Sequence, residues 1–241
     1  MVDLLGRKYK FNNWVHGCLS DGHLILLDTK NDRYLFVDRG ELSSVLPYIE
    51  QHLAKVPPEH CQMKARDLSK KIINQLLREE IITTEDAYSH VIVQCIIDKP
   101  VTPFEHIETD NEPKILWHHV ILAAIAGLTA HIILRLLPLS KIIGISRQLN
   151  SHYYFSDCKL EKIFHIARIY RRLRPILVRS RICLYDSLAF WLYAVFYGYR
   201  PNIIFGVTGD PFDAHCWVQA GGYILNDVPQ NIRRYTPIII I

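Results

Sequence analysis

Two rhythms of apolar residues run along the chain. Near the N-terminus, short runs mix strand-type residues at period two: Trp14 to Ser20, His23 to Asp28 and Arg33 to Asp38. These read as strands, and the four-residue stretch TKND between the last two reads as a hairpin loop. Helical spacing follows. Leu42, Val45, Leu46, Ile49 and Leu53 share one face of a helix predicted over Glu41 to Ala54. Leu68, Ile72, Ile73, Leu76 and Leu77 share one face of a helix predicted over Asp67 to Glu80. Short strands followed by helices predict a small winged-helix-like module over residues 1–97. Residues 98–113 then carry three prolines, five acidic residues and little periodicity, so 98–114 is expected to be a linker. Residues 115–241 form the second expected domain, and the chain as a whole is expected to be α+β.

The second domain opens with 23 apolar-rich residues, ILWHHVILAAIAGLTAHIILRLL, from Ile115 to Leu137. That length could cross a bilayer. His118, His119, His131 and Arg135 interrupt it, and Pro138 ends it. A buried or partner-facing helix is the expectation, with no membrane association and no metal at the histidines. From Lys159 to Arg174 the spacing of Ile163, Ile166, Ala167, Tyr170 and Leu173 predicts an amphipathic helix. Its polar side is basic: Arg168, Arg171, Arg172, Arg174, Arg179 and Arg181 are six arginines in 14 residues. A solvated face, an acidic partner, a phosphate ligand and a membrane surface all remain open for it. Leu184, Leu188, Trp191, Leu192 and Val195 make a third helical stripe, stopped by Gly198 with Pro201 just beyond.

Length and charge narrow the function. A chain of 241 residues holds one or two domains. Residues 1–90 carry 12 Lys/Arg against 13 Asp/Glu, a net charge of about −1. Winged helices often bind DNA, but a DNA-binding face needs a basic surplus, so nucleic acid is disfavoured. The six cysteines (Cys18, Cys61, Cys95, Cys158, Cys183 and Cys216) show no CxxC pair, so neither zinc nor a disulfide framework is expected. The opening MVDLLGRKYK has no long apolar stretch. A cytoplasmic protein with reduced thiols is the simplest expectation.

Candidate chemistry concentrates in PFDAHCWVQAGGYILNDVPQN, residues 211–231. Strand-type residues flank Gly221-Gly222, a hairpin signal. With a two-residue loop, His215 pairs with Val228, and Asp227 faces away from it. With a three-residue loop over 220–222, His215 pairs with Asp227, about 5 Å apart at Cβ. The three-residue loop suits Gly222 in a left-handed conformation and is the expected register. Imidazole and carboxylate would then hydrogen-bond, the carboxylate fixing the tautomer. Cys216 points to the opposite strand face from His215 and reads as buried filler. Cys183 falls at a helix start, where free N–H groups and partial positive charge favour the thiolate. Arg179 and Arg181 push the same way, and the Cys183 backbone N–H is a candidate oxyanion donor. Cysteine, histidine and aspartate in that order are the set used for thiolate–imidazolium chemistry on acyl groups in papain-like and transglutaminase-like folds.

The runs RICLYDSLAFWLYAVFYGYRPNIIFGV and GVTGDPFDAHCWVQAGGYILND resemble the signature of lasso-peptide maturation B proteins, over about residues 179–229. The nucleophile of that family falls on Cys183, its histidine on His215 and its third member on Asp227. Ser187, Trp217, Gly222 and Asn226 also fall on motif positions. Cys216 departs from the family, which more often has a small residue there. The resemblance implies a cysteine endopeptidase of the papain/transglutaminase-like class. Its work would be removing the leader from a ribosomally made lasso precursor. It implies a leader-recognition element at the N-terminus, where the leader adds a strand to a sheet edge and packs on a helix. The matching segments are Arg33 to Val37 and Asp67 to Arg78, which makes Tyr34, Leu35, Phe36, Val37 and Leu76 the expected substrate-binding residues. It also implies an asparagine-synthetase-like cyclase as partner, an ATP requirement with no covalently bound cofactor, and threonine at the penultimate leader position. Two rival readings use the same residues: glutamine acyl transfer or deamidation, and a non-catalytic leader-binding scaffold.

Overall fold

A computed structural model describes residues 9–38, 41, 66–84, 102–103, 113–150, 157–177 and 183–241. The chain divides into two compact units: Met1–Cys95 with Val207–Asp213, and Ile96–Gly206 with Ala214–Ile241. The helix expected over Glu41 to Ala54, and Arg179 and Arg181, lie outside the described residues apart from Glu41.

In the first unit, β1 (Lys10–Phe11) pairs with β5 (Ile82–Thr83), and β2 (Val15–Ser20), β3 (His23–Asp28) and β4 (Arg33–Val37) form an antiparallel meander. Local chemistry sets both meander turns. Asp21 and Gly22 close β2–β3 with positive φ at both positions (51° and 83°), the demand of a two-residue type I′ loop. At the next turn the buried Asp28 carboxylate accepts hydrogen bonds from the backbone of Lys30 and Asn31 and the side chains of Asn31 and Arg33. Burial alone would raise its pKa. Those donors outweigh burial and hold it below the usual carboxylate value. Helix α1 (Arg66–Arg78) lays Ile72, Ile73 and Leu76 on a core completed by Tyr9, Phe11, Leu24 and Leu26. Strand β3 is central, and Ile25 and Leu27 are buried along with Leu24 and Leu26, so both of its faces are covered.

The second unit pairs helices with a five-stranded sheet. Helices α2 (Trp117–Leu136), α3 (Leu139–Asn150), α4 (Asp157–Leu177) and α5 (Cys183–Phe196) precede strands β7 (Asn202–Thr208), β8 (Asp213–Ala220), β9 (Tyr223–Ile224) and β10 (Thr236–Ile240), with the short α6 (Pro229–Ile232) before β10. Thr102–Pro103 add a short strand, β6, that runs parallel to β9, and the sheet order is β10-β7-β8-β9-β6. The apolar α2 packs on α5 and α4 through a stripe of small residues, Ala123, Ala126, Gly127 and Ala130. At Gly127 an added Cβ would lie 3.1 Å from the Tyr185 hydroxyl, which instead donates to the Gly127 carbonyl. The opposite stripe of α2, including Trp117, Ile121, Ile125, Leu128 and Leu136, is exposed, so the expected burial holds for one face only. Among its histidines, His119 is buried, with Nδ1 within hydrogen-bond reach of the Tyr197 and Tyr193 hydroxyls.

Helix α5 places the nucleophile candidate at its first position and ends as the sequence predicts. Gly198 takes φ +79°, and the N–H groups of Tyr199 and Gly198 bond back to the carbonyls of Ala194 and Val195. That is a Schellman stop. One glycine in the sheet is set by packing. A Cβ on Gly206 would come within 2.7 Å of the Trp217 ring and 2.8 Å of Tyr235. Gly206→Ala is expected to cost about 2 kcal/mol by overpacking and to lower Tm by about 4–8 °C in a thermal melt.

Candidate active site

Cys183, His215 and Asp227 belong to three different elements and meet in the second unit. Cys183 opens α5 and is partly exposed. His215 lies on β8, and Asp227 follows β9 in a bend. The His215 ring donates through Nε2 to Asp227 Oδ2 at 2.5 Å. Its other nitrogen is thereby left for the Cys183 thiol, which is hydrogen-bonded to His215.

The contact is reached by a different route from the expected register. Gln219 pairs with Ile224 and Ala220 with Tyr223, so the loop is Gly221-Gly222 alone. Positive φ falls on Gly221 (56°), not on Gly222, as a type II′ turn requires. The three-residue loop is therefore incorrect. In the observed register a continuing strand would set Asp227 opposite Cys216, on the far face from His215. Pairing stops instead. The Leu225 N–H still donates to the Val218 carbonyl, but the Val218 N–H donates to the Asn226 side chain. The chain bends there, and Asp227 returns to the histidine.

Each group is tuned by its neighbours. Burial opposes charge on His215, yet the Asp227 carboxylate and the Cys183 sulfur raise its pKa from 6.5 to about 9. Burial would raise the Cys183 thiol. The His215 hydrogen bond and charge, with the backbone N–H groups of Cys216 and Leu184, overcome it and lower the pKa below the ordinary thiol value. Burial also works against the Asp227 anion. Hydrogen bonds from His215, the Val228 N–H and Asn231 Nδ2 more than compensate, and its pKa falls. The imidazole ring lies nearly parallel to Tyr235 (centroids 5.1 Å, 28° between planes) and to Trp217 (6.2 Å, 23°). Together these shifts favour imidazolium and carboxylate at neutral pH beside a thiol that ionises more readily than usual, a set able to attack a carbonyl and to protonate a leaving group.

Cys216 is 3% exposed, and burial followed by the Cys183 charge raises its pKa well above the thiol value. It is a buried thiol on the opposite face from the imidazole. Arg174, counted in the sequence among arginines open to a ligand, pairs through Nε with Asp186 at 2.9 Å. Asp186 is 3% exposed on the first turn of α5, and no sequence pattern marked it. A cavity of about 220 Å³ borders Asp227, with Arg171, Arg174, Asn226 and Asn231 in its wall.

The expected substrate-binding residues fall in the first unit. Strand β4 is an edge of the meander. Tyr34 and Leu35 are partly exposed and Phe36 is 44% exposed, whereas Val37 and Leu76 belong to the buried core. The Tyr34 and Phe36 rings pack on Phe212, with centroids at 5.3 and 4.7 Å. Among the described residues there is no cluster of three or more side chains fit to hold a metal ion.

No curated protein and no solved structure matches the chain. Residues 125–240 do match a known family, the transglutaminase-like superfamily. The matched span includes all of α5, the strands β7 to β10 and the three residues Cys183, His215 and Asp227. The C-terminal half of this chain is a transglutaminase-like domain.

Proposed function

We propose that the chain is a cysteine endopeptidase that cuts the leader from a ribosomally made lasso-peptide precursor. The observation that supports this most is the hydrogen-bonded series from the Cys183 thiol through His215 to Asp227, inside a transglutaminase-like domain. The Cys183 thiolate attacks the carbonyl at the leader–core junction. The His215 imidazolium gives its proton to the departing amine of the core, and the leader remains as a thioester on sulfur. His215, now neutral, takes a proton from water as that water attacks the thioester, releasing the leader acid and the thiolate and restoring the starting ion pair. Asp227 holds the imidazole and offsets its charge. The freed core amine passes to an asparagine-synthetase-like cyclase. The ATP requirement implied by the resemblance enters none of these steps.

The N-terminal unit acts in this reading as a winged-helix-like leader-recognition domain. Residues 98–114 lead from it to the peptidase domain at 115–241, with Thr102–Pro103 within them already paired to β9. The leader adds to the β4 edge, where backbone bonds give affinity and side chains give specificity. Phe36→Asp puts a charge on the most exposed aromatic of that edge. It should weaken precursor binding by tenfold or more, about 1.4 kcal/mol, with Cys183 alkylation unchanged. Fluorescence anisotropy with a labelled leader measures the first, and peptide-resolved mass spectrometry the second.

Incubating the chain with a precursor and weighing the products tests the whole reading. A free leader acid and a free core support proteolysis. Loss of ammonia from glutamine without chain cleavage assigns the same three residues to acyl transfer or deamidation.

A further inference from the structure

Parity poses a problem that one side chain solves. With a two-residue loop at Gly221-Gly222, strand geometry puts His215 and Asp227 on opposite faces of the β8–β9 ribbon. They touch only because the ladder ends early. At the point where it ends, the Val218 N–H should meet the Leu225 carbonyl. It meets Asn226 Oδ1 instead, at 2.7 Å. The other end of the same amide reaches the nucleophile helix: Asn226 Nδ2 donates to Ser187 Oγ at 2.9 Å and to Asp186 Oδ2 at 3.3 Å. Ser187 Oγ in turn donates to the Cys216 carbonyl at 2.9 Å, back on β8. Asp186 and Ser187 are 3% and 0% exposed, so these bonds form away from water, where an unmade one is costly. Arg174 Nε lies 2.9 Å from the second oxygen of Asp186, an ion pair without hydrogen-bond geometry.

We infer that Asn226 is a positioning residue for the thiol–imidazole–carboxylate series. It replaces the ladder bond that would carry Asp227 to the wrong face, and it ties the diverted chain to the start of α5, three and four residues from Cys183. The amide is suited to this because it both accepts and donates. Aspartate of the same shape accepts from Val218 but offers no N–H to Ser187 or Asp186, and it sets a second carboxylate against Asp186. The inference deepens the peptidase reading and rests on it for its meaning, but its test needs no peptide substrate.

The test is the rate of Cys183 alkylation by iodoacetamide as a function of pH, resolved from the other cysteines by peptide mass spectrometry, on the full chain. The parent is expected to alkylate through a midpoint below that of a free thiol. Asn226→Asp and Asn226→Ala are expected to move that midpoint up by about one pH unit and to slow the reaction at pH 6 by about tenfold. Far-UV circular dichroism should be unchanged. Should either variant fail to fold, Ser187→Ala serves in its place. It leaves the Val218 bond intact, and a threefold slowing at pH 6 is expected. A purely structural asparagine lowers Tm and leaves the midpoint alone, so unshifted midpoints in the folded variants overturn the inference. A parent whose Cys183 titrates as an ordinary thiol overturns it too. Shifted variants alongside a parent that cuts no precursor support the positioning role and overturn the peptidase reading only.

Discussion

Cys183→Ala is expected to abolish release of the leader, a loss of about 10⁶-fold in rate, the scale on which removal of the nucleophile acts in hydrolases of this logic. Cys216→Ser is expected to keep cleavage within about threefold. The two cysteines differ in every property that matters to a nucleophile. Cys183 stands at a helix mouth, partly open to solvent, and its thiol is lowered by the imidazole it touches. Cys216 is one residue from His215 in sequence, but it faces the other side of β8 and is buried and raised. Ser187, beside the Cys216 sulfur, offers an introduced hydroxyl a partner. The Cys216→Ser cost should therefore be about 1 kcal/mol, read as a 2–4 °C fall in Tm. Mass spectrometry of precursor digests measures cleavage. Activity surviving in Cys183→Ala and lost in folded Cys216→Ser would move the nucleophile to Cys216. Maturation intact in both would leave a leader-binding scaffold as the better account.

Some of this site was legible in the residues, and the missing parts share one cause. Cys183 could be placed at a helix start because the apolar stripe from Leu184 to Val195 and the stop at Gly198 bracket a helix of definite length. Period-two runs likewise gave His23–Asp28 as a strand. The hairpin register could not be read in the same way. Both loop lengths satisfy the pattern of strand residues, and the choice changes which face every later residue occupies. What decides the geometry is Asn226, whose partners Ser187 and Asp186 lie 39 and 40 residues earlier in the chain. Gly206 is similar, since its neighbours Trp217 and Tyr235 belong to later segments. The basic face of the helix ending near Arg174 looked open to a ligand because its counter-charge, Asp186, sits within an apolar stretch of the next helix. Periodicity reports what a segment presents to its surroundings. It does not report which side chain from another segment will be there.

Asp227→Asn should have the second largest effect, a drop in kcat of about 10³ to 10⁴-fold with KM little changed. The argument follows from where each oxygen points. Asp227 Oδ1 accepts from the Val228 N–H and from Asn231 Nδ2, both at 2.7 Å, and Oδ2 accepts from His215. An introduced amide has one oxygen, and two fixed donors claim it. The NH₂ is then left facing His215 Nε2, which must become the acceptor. The ring proton shifts to the nitrogen beside Cys183, so the histidine can no longer take the thiol proton. Charge acts in the same direction. Asp227 helps to hold the His215 pKa at about 9, and losing the anion lowers it, while the thiol loses imidazolium support and rises. In the parent, cleavage should climb through a midpoint below the ordinary thiol range and fall as pH passes about 9, where the leaving amine loses its proton donor. In Asp227→Asn the alkaline limb moves to lower pH and the acid limb to higher pH, so the plateau between them narrows. Steady-state rates across pH measure both limbs. A variant with parental kcat and an unmoved alkaline limb would mean that the carboxylate neither orients nor charges the imidazole.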